Sequence, residues 1–160
     1  LRADVSDRYY KYLNNITSAN FKTRYDNHVY ELDALNGRLL SYGKAAGSGS
    51  YYVPVTFSFD NKGDMIPGSF VEIYLLSKTM EDVIVLPEEA LTEEQGLYFV
   101  YIQKCEESYK KQEVKLGASN GVEVQILEGL HAGDRVVVKG AYHVKLASAS
   151  NALPAHSHEH

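Results

Sequence analysis

The chain of 160 residues contains no tryptophan, one cysteine, two methionines and four prolines. Without tryptophan, an exposed aromatic platform of the kind a carbohydrate-binding module needs has lost its largest building block. The single thiol, Cys105, cannot close an internal disulfide, so cysteine usage does not report the redox compartment. No histidine stands near it in sequence to activate it, and it reads as an inert side chain on a strand. Met65 and Met80 are too few and too far apart to form a Cu(I) thioether site. Positive charge is also short, with 16 Lys and Arg against 21 Asp and Glu and a net charge of -5. Nucleic-acid binding needs a basic face, and this balance argues against one. No run approaches the roughly 18 apolar residues of a membrane helix. Nor is there a charged start followed by an apolar stretch, as in a secretory signal.

What is present points to strands. Thirteen tyrosines and valine-rich alternation favour a β-structure. The length admits one domain or two small ones. One short helix is expected after Ser6, a potential cap, with Tyr9, Tyr12 and Leu13 at helical spacing before Asn14-Asn15. Strands are expected over 1–5, 19–25, 28–32, 38–42, 51–59 and 69–76, with Asn36-Gly37 as a hairpin turn. Residues 43–50, Gly-Lys-Ala-Ala-Gly-Ser-Gly-Ser, read as a flexible tip; a phosphate loop would end in Gly-Lys-Ser/Thr and open a helix. Pro67-Gly68 is a turn with fixed φ followed by tolerated positive φ. Residues 78–82 are polar and without period, and suit a domain boundary.

A second set of strands is expected over 83–86, 97–103, 110–116, 122–127 and 135–139. Pro87 to Leu91 resembles one helical turn with proline at its start. Residues 92–96 read as a polar turn. Residues 127–140 pack two turn signals, Gly129 and Gly133-Asp134, around the short apolar strand Val136 to Val138, and end at Gly140. After Leu146 the composition falls to Ala, Ser, Asn and Pro, as in a structureless tail. The expected architecture is therefore all-β with one short helix. Residues 1–79 form a small β-barrel domain, 80–147 an antiparallel β-domain and 148–160 a tail. Neither half has the βαβ rhythm of a nucleotide-binding fold.

The residues offer little chemistry. Glu88-Glu89 and Glu93-Glu94 are adjacent carboxylates on turns, which point apart and stay solvated. A hydrolase would need a nucleophile, a base and an orienting group, and no such set is present. His28, His131 and His143 are scattered. The metal-like cluster is the tail: His156, His158 and His160 alternate, so two or three imidazoles can meet at one divalent ion. No cofactor is required elsewhere. The tyrosines Tyr9, Tyr10, Tyr12, Tyr51 and Tyr52 could form either an interface patch or the core and rim of the barrel.

Taken in order, four stretches resemble the periplasmic adaptor subunits, or membrane fusion proteins, of tripartite efflux pumps of the resistance-nodulation-division (RND) type. Leu1-Arg2-Ala3-Asp4-Val5-Ser6-Asp7 looks like the strand-to-helix opening of the adaptor β-barrel. Val55 to Asn61 followed by Met65 to Ile73 looks like its closing hairpin. Val85-Leu86-Pro87-Glu88-Glu89-Ala90-Leu91 looks like the lead-in to the membrane-proximal domain, and Leu127 to Gly140 like that domain's close.

The resemblance implies the C-terminal half of an adaptor. A lipoyl-like domain, a helical hairpin and an inner-membrane anchor would then lie upstream, consistent with a chain that opens at Leu1 inside a strand. It implies a periplasmic location and a non-catalytic role, bridging an inner-membrane efflux transporter to an outer-membrane channel. It also implies self-association in the assembled pump and no nucleic-acid partner. The histidine tail would favour heavy-metal cations over drugs as cargo. Residues 38–50 are looser and richer in glycine than a compact barrel loop, so contacts there do not carry over. The rival reading is a ligand- or carbohydrate-binding β-sandwich module, against which the lack of tryptophan counts.

Overall fold

The computed structural model describes residues 1–43, 51–106 and 108–150, and of 148–150 the backbone alone. The chain divides by contacts into two units, Leu1–Glu81 and the chain from Asp82. The structure is antiparallel β throughout, with one α-helix and three 3-10 turns among the described residues.

In the first unit six strands form two three-stranded sheets. They are β1 (Arg2–Ser6), β2 (Ser18–Thr23), β3 (Val29–Glu31), β4 (Arg38–Tyr42), β5 (Tyr52–Ser58) and β6 (Val71–Leu76). One sheet has the order β1-β5-β4, the other β3-β2-β6. The alternation in β5 sets the core: Val53, Val55 and Phe57 are buried, and the residues between them are not. From the other sheet Ala19 and Phe21 join the same cluster, with Leu13 and Leu32 completing it. Phe21 stacks on Tyr30 at 5.3 Å and meets Phe59 at 5.4 Å between ring centroids. The polar Ser18 is buried in this sheet with its hydroxyl satisfied, donating to Asp33 Oδ1 at 2.6 Å.

Asn36-Gly37 does not make the expected hairpin. The strands it joins, β3 and β4, belong to different sheets. Asn36 is left-handed (φ 53), but Gly37 is not, and a type I′ hairpin turn needs both. Asn36 instead ends a 3-10 turn, Asp33–Leu35. Gly37 is required for a different reason. A Cβ there would lie 2.6 Å from the Leu32 carbonyl oxygen and overlap the Leu32 side chain. The expected helix after Ser6 is a 3-10 helix, Asp7–Asn15, and Ser6 makes no side-chain capping bond to it.

The second unit is one five-stranded sheet of order β7-β11-β10-β9-β8. Its strands are β7 (Ile84–Pro87), β8 (Thr92–Glu94), β9 (Leu97–Cys105), β10 (Ser108–Ser119) and β11 (Glu123–Glu128), followed by α1 (Ala141–Ser150). The long strand β10 serves two partners. Its first half pairs with β9 and its second half with β11, with register shifts between Lys115 and Ser119. Such irregularities bend a strand and let one sheet curl around its own core. That core is Val100, Ile102, Val114, Val124, Ile126 and Leu130. The residues read as a polar turn, 92–96, hold a strand and a tight turn instead. Gln95 (φ 53) and Gly96 (φ 81) both take positive φ, as a type I′ hairpin demands.

Two expectations for this unit need correction. Residues 135–139 do not form a strand. Val136 makes one isolated bridge to Ile102. The Gln103 amide donates to the Arg135 carbonyl at 2.8 Å, and the Val137 amide to the Tyr101 carbonyl at 2.9 Å. This short segment thus pairs with β9 beyond the end of β8. The helix α1 was not anticipated. It runs to Ser150, three residues into the stretch from 148 read as a tail. Residues 151–160 lie outside the described residues, as does 44–50, the expected flexible tip.

Candidate functional site

Among the described residues no group of three or more His, Cys, Asp or Glu is placed to hold a metal ion. The tail histidines His156, His158 and His160 lie outside the described residues. The remaining histidines stay apart. His28 sets its ring edge-on to Tyr30 at 4.6 Å, and the His131 side chain is 92% exposed. His143 lies in the first turn of α1, its amide donating to the Gly140 carbonyl. Cys105 is exposed at the end of β9. Glu88 accepts a hydrogen bond from the Ser119 hydroxyl at 3.0 Å.

Glu94 is tied into a basic pair. Lys111 bonds to it and lies 4.1 Å above the Phe99 ring, while Lys145 of α1 approaches its other oxygen at 3.4 Å. Lys145 also donates to the Glu93 carbonyl at 3.1 Å. The Lys111 ammonium, with Lys145 assisting, holds the Glu94 carboxyl below its ordinary range. A carboxylate held ionised between two lysines is a structural clasp for α1. General acid chemistry would require a proton it gives up too readily.

The turn over 128–134 is built by local geometry. Gly129 (φ 103) approaches β10 so closely that a Cβ would lie 3.1 Å from Val114 Cα. Leu130 then enters the core. The Asp134 carboxylate accepts from the His131 amide at 2.9 Å, the Asp134 amide donates to the His131 carbonyl at 3.1 Å, and Gly133 takes φ 95. Asp134 is therefore a turn-forming side chain.

What the structure offers for function is surface. In the first unit Tyr9, Tyr10 and Tyr12 of the 3-10 helix and Tyr51 and Tyr52 at the start of β5 are all exposed, Tyr51 by 76%. The Asp7 amide donates to the Tyr51 carbonyl, and Ser6 pairs with Tyr52, so these tyrosines share one end of the unit. Of the two readings, interface patch or core and rim, none of the five is in the core.

The sequence reading missed a second surface, formed by the loop between β5 and β6. Asn61 organises it: Oδ1 accepts from the Gly63 and Met65 amides, and Nδ2 donates to the Met65 carbonyl at 2.9 Å. Tyr25 donates to the Asp64 carbonyl and accepts from the Ile66 amide. The loop so held presents Ile66 (63% exposed) and Phe70 (82%) to solvent, on the rim of a cleft of about 650 Å3. The signal was available in the sequence: an Asx-turn former at Asn61, then large apolar residues on either side of a Pro-Gly turn.

The turn and the curled five-stranded sheet have a counterpart among known families. Residues 82–143 match the model of the C-terminal permuted SH3 domain of RND membrane fusion proteins. The curated proteins similar to this chain include the multidrug resistance protein MdtA of Pantoea ananatis. It is 33% identical over 105 residues, covering 65% of this chain and 26% of that protein. The MdtA of Erwinia amylovora is 32% identical over 120 residues, covering 74% and 30%. The chain belongs to the RND membrane fusion proteins. It spans about a quarter to a third of the length of these relatives. Among solved structures it is similar to ZneB from Cupriavidus metallidurans, at 24% identity and TM-score 0.39, covering 86% of this chain and 39% of that one. A TM-score of 0.39 carries no weight for function. Within this membrane fusion protein the family match lies wholly in the second unit. No helix among the described residues is long and apolar enough to cross a membrane, which says nothing of β-barrels.

Proposed function

We propose that this chain is part of a periplasmic adaptor that couples an inner-membrane RND transporter to an outer-membrane channel and performs no reaction of its own. The observation that carries the reading is the match of residues 82–143 to a domain of RND membrane fusion proteins. The site geometry supports it. The Asp134 carboxylate serves a turn and the Glu94 carboxylate a clasp, while large aromatic side chains stand on the surface. Tyrosine suits an interface because it supplies rigid contact area with a polar tip. In this reading the two β-units dock on the periplasmic face of the transporter, and copies of the adaptor associate around it.

The test is a deletion of the gene in its host. Intracellular accumulation of an efflux substrate should rise, and should return to normal when the full-length gene is restored. Unchanged accumulation, with the transporter expressed, would contradict the adaptor role.

Cargo is a separate proposal with two supports that differ. The curated relatives are named multidrug resistance proteins, which favours drugs. The alternating His156, His158 and His160 favour a divalent cation. Growth of the deletion strain against a panel of drugs and of zinc, copper and nickel salts separates them. Sensitivity to the metals alone would uphold the metal reading, and sensitivity to drugs alone would remove it.

A further inference from the structure

We infer that the cleft beside the β5–β6 loop is a binding site for an uncharged, lipophilic, ring-bearing small molecule. Four observations lead there. Its volume of about 650 Å3 falls within the usual size of small-molecule pockets, roughly 300–1,000 Å3. Its apolar lining is rich in aromatic and flexible groups: Phe21, Phe59, Met65, Ile66, Phe70 and Val71. Rings favour stacked or edge-on partners, and methionine adapts to them.

The cleft is also preformed. The wall that carries Met65, Ile66 and Phe70 is fixed by the Asn61 and Tyr25 bonds and by the Ser69 hydroxyl, which donates to the Ile66 carbonyl at 2.8 Å. A ligand would not have to order it, which removes a large cost of binding.

The fourth observation sets the chemistry of the ligand. Most polar groups on the lining are already committed. Arg2 and Asp4 pair with each other at 2.9 Å. Tyr25 is used as both donor and acceptor, and Asn61 and Ser69 are spent on the loop. Thr23 is the exception: it is 4% exposed and its hydroxyl has no hydrogen-bond partner among the described residues, an uncharged group that offers no counter-charge. The Leu1 ammonium also lines the cleft and donates to the Phe57 carbonyl at 2.9 Å. Apart from that chain-terminal charge the lining offers a charged ligand no unpaired partner, and such a ligand would lose its hydration on entering. A neutral ring loses little and covers Phe70 and Ile66. The inference rests on the first unit alone and stands whether or not the chain acts as an adaptor.

The test uses two fluorescent probes on the 160-residue chain with its N-terminus acetylated, which removes the Leu1 charge from the cleft: neutral N-phenylnaphthylamine and its charged analogue anilinonaphthalene sulfonate. The neutral probe should bind saturably at one site, at least tenfold more tightly than the sulfonate. Phe70→Asp and Ile66→Asp change exposed residues and should leave the fold intact. Each should weaken the neutral probe at least tenfold. Leu40→Asp, at an equally exposed apolar residue outside the cleft, should not. Three results would overturn the site: no saturable binding, a sulfonate bound as tightly as the neutral probe, or an equal loss in Leu40→Asp. A fourth would reassign it. If the chain dimerises by sedimentation and Phe70→Asp makes it monomeric, a second copy occupies the cleft and the small-molecule reading fails.

Discussion

The two units bury an apolar cluster between antiparallel strands by different means. The first, Leu1–Glu81, places two three-stranded sheets around a core in which aromatic rings stack, and leaves tyrosines, Ile66 and Phe70 on its surface. The second curls a single sheet by bending β10 and secures it with side-chain bonds: Asp134 finishes a turn on the His131 amide, and Glu94 between two lysines clasps α1. The family model matches the second unit alone, where glycine and turn chemistry leave little freedom, while the similarity to the curated relatives, over 105 and 120 residues, runs on into the first. Surfaces available to other molecules are richer in the first. The difference teaches that what holds a unit together and what it presents to other molecules are carried by different side chains: turn and core residues for the first, exposed rings that the fold does not need for the second.

The sharpest way to break this contrast is through the two cores. Phe57→Ala removes a fully buried ring and should cost the first unit about 3–5 kcal/mol. Amide hydrogen exchange should quicken across β2, β5 and β6. Gly129→Val should act on the other unit. It forces a β-branched residue to φ 103 and drives a Cβ against β10, and about 3 kcal/mol or more should be lost. Exchange should then quicken in β9, β10 and β11 and stay unchanged in β2. If either substitution loosens both sets of strands equally, the units are not separate in stability.

A smaller effect is expected for Asp134→Ala, which deletes one turn bond and should cost about 1 kcal/mol. Leu130 should stay buried, and the sheet should persist by circular dichroism. Unfolding of the second unit by several kcal/mol would show that Asp134 does more than finish a turn.

The clasp on α1 can be read through pH. Glu94 has a folded pKa below its ordinary value of 4.5, so it binds protons less readily folded than unfolded. Its contribution is fully present above pH 4.5 and is lost as pH falls through the lowered value. Exchange protection of α1 should therefore decline in acid and be flat from pH 5 to 7. Lys145→Met should weaken that acid sensitivity. At the other end of the scale Tyr30, whose hydroxyl donates to Asp26 at 2.8 Å, is raised to about 12. Its stabilisation should hold below pH 10 and fade as pH climbs towards 12. Removal of 155–160 should leave every one of these readings unchanged and lower only the zinc affinity of the chain, by calorimetry. Equal zinc binding before and after would end the metal reading of His156, His158 and His160.

Much of this was legible from local chemistry. Val53, Val55 and Phe57 alternate and are buried, and Gly129 and Gly133-Asp134 sit where turns are required. What the local pattern hid depended on neighbours far away in sequence. Asn36-Gly37 looks like a hairpin because the dipeptide is suited to one, but β3 and β4 find other partners. Residues 135–139 look like a strand because they are valine-rich, yet only three of them meet β9. In β9 the run Val100, Tyr101, Ile102 is buried on both faces. Such a continuous apolar stretch signals a further covering element. The helix α1, which buries Ala141, contacts β8 and β9. The cleft escaped notice because its wall is made by Asn61 and Tyr25, which are 36 residues apart in sequence.

The adaptor role is tested most directly by photocrosslinking in cells. A photoreactive residue would replace Tyr12, Tyr51 or Phe70, one at a time, in the full-length protein. The account predicts crosslinks to an inner-membrane RND transporter or to a second adaptor copy, and none from a buried position such as Val55. Absence of any such crosslink from all three exposed positions, with the transporter present, would contradict it.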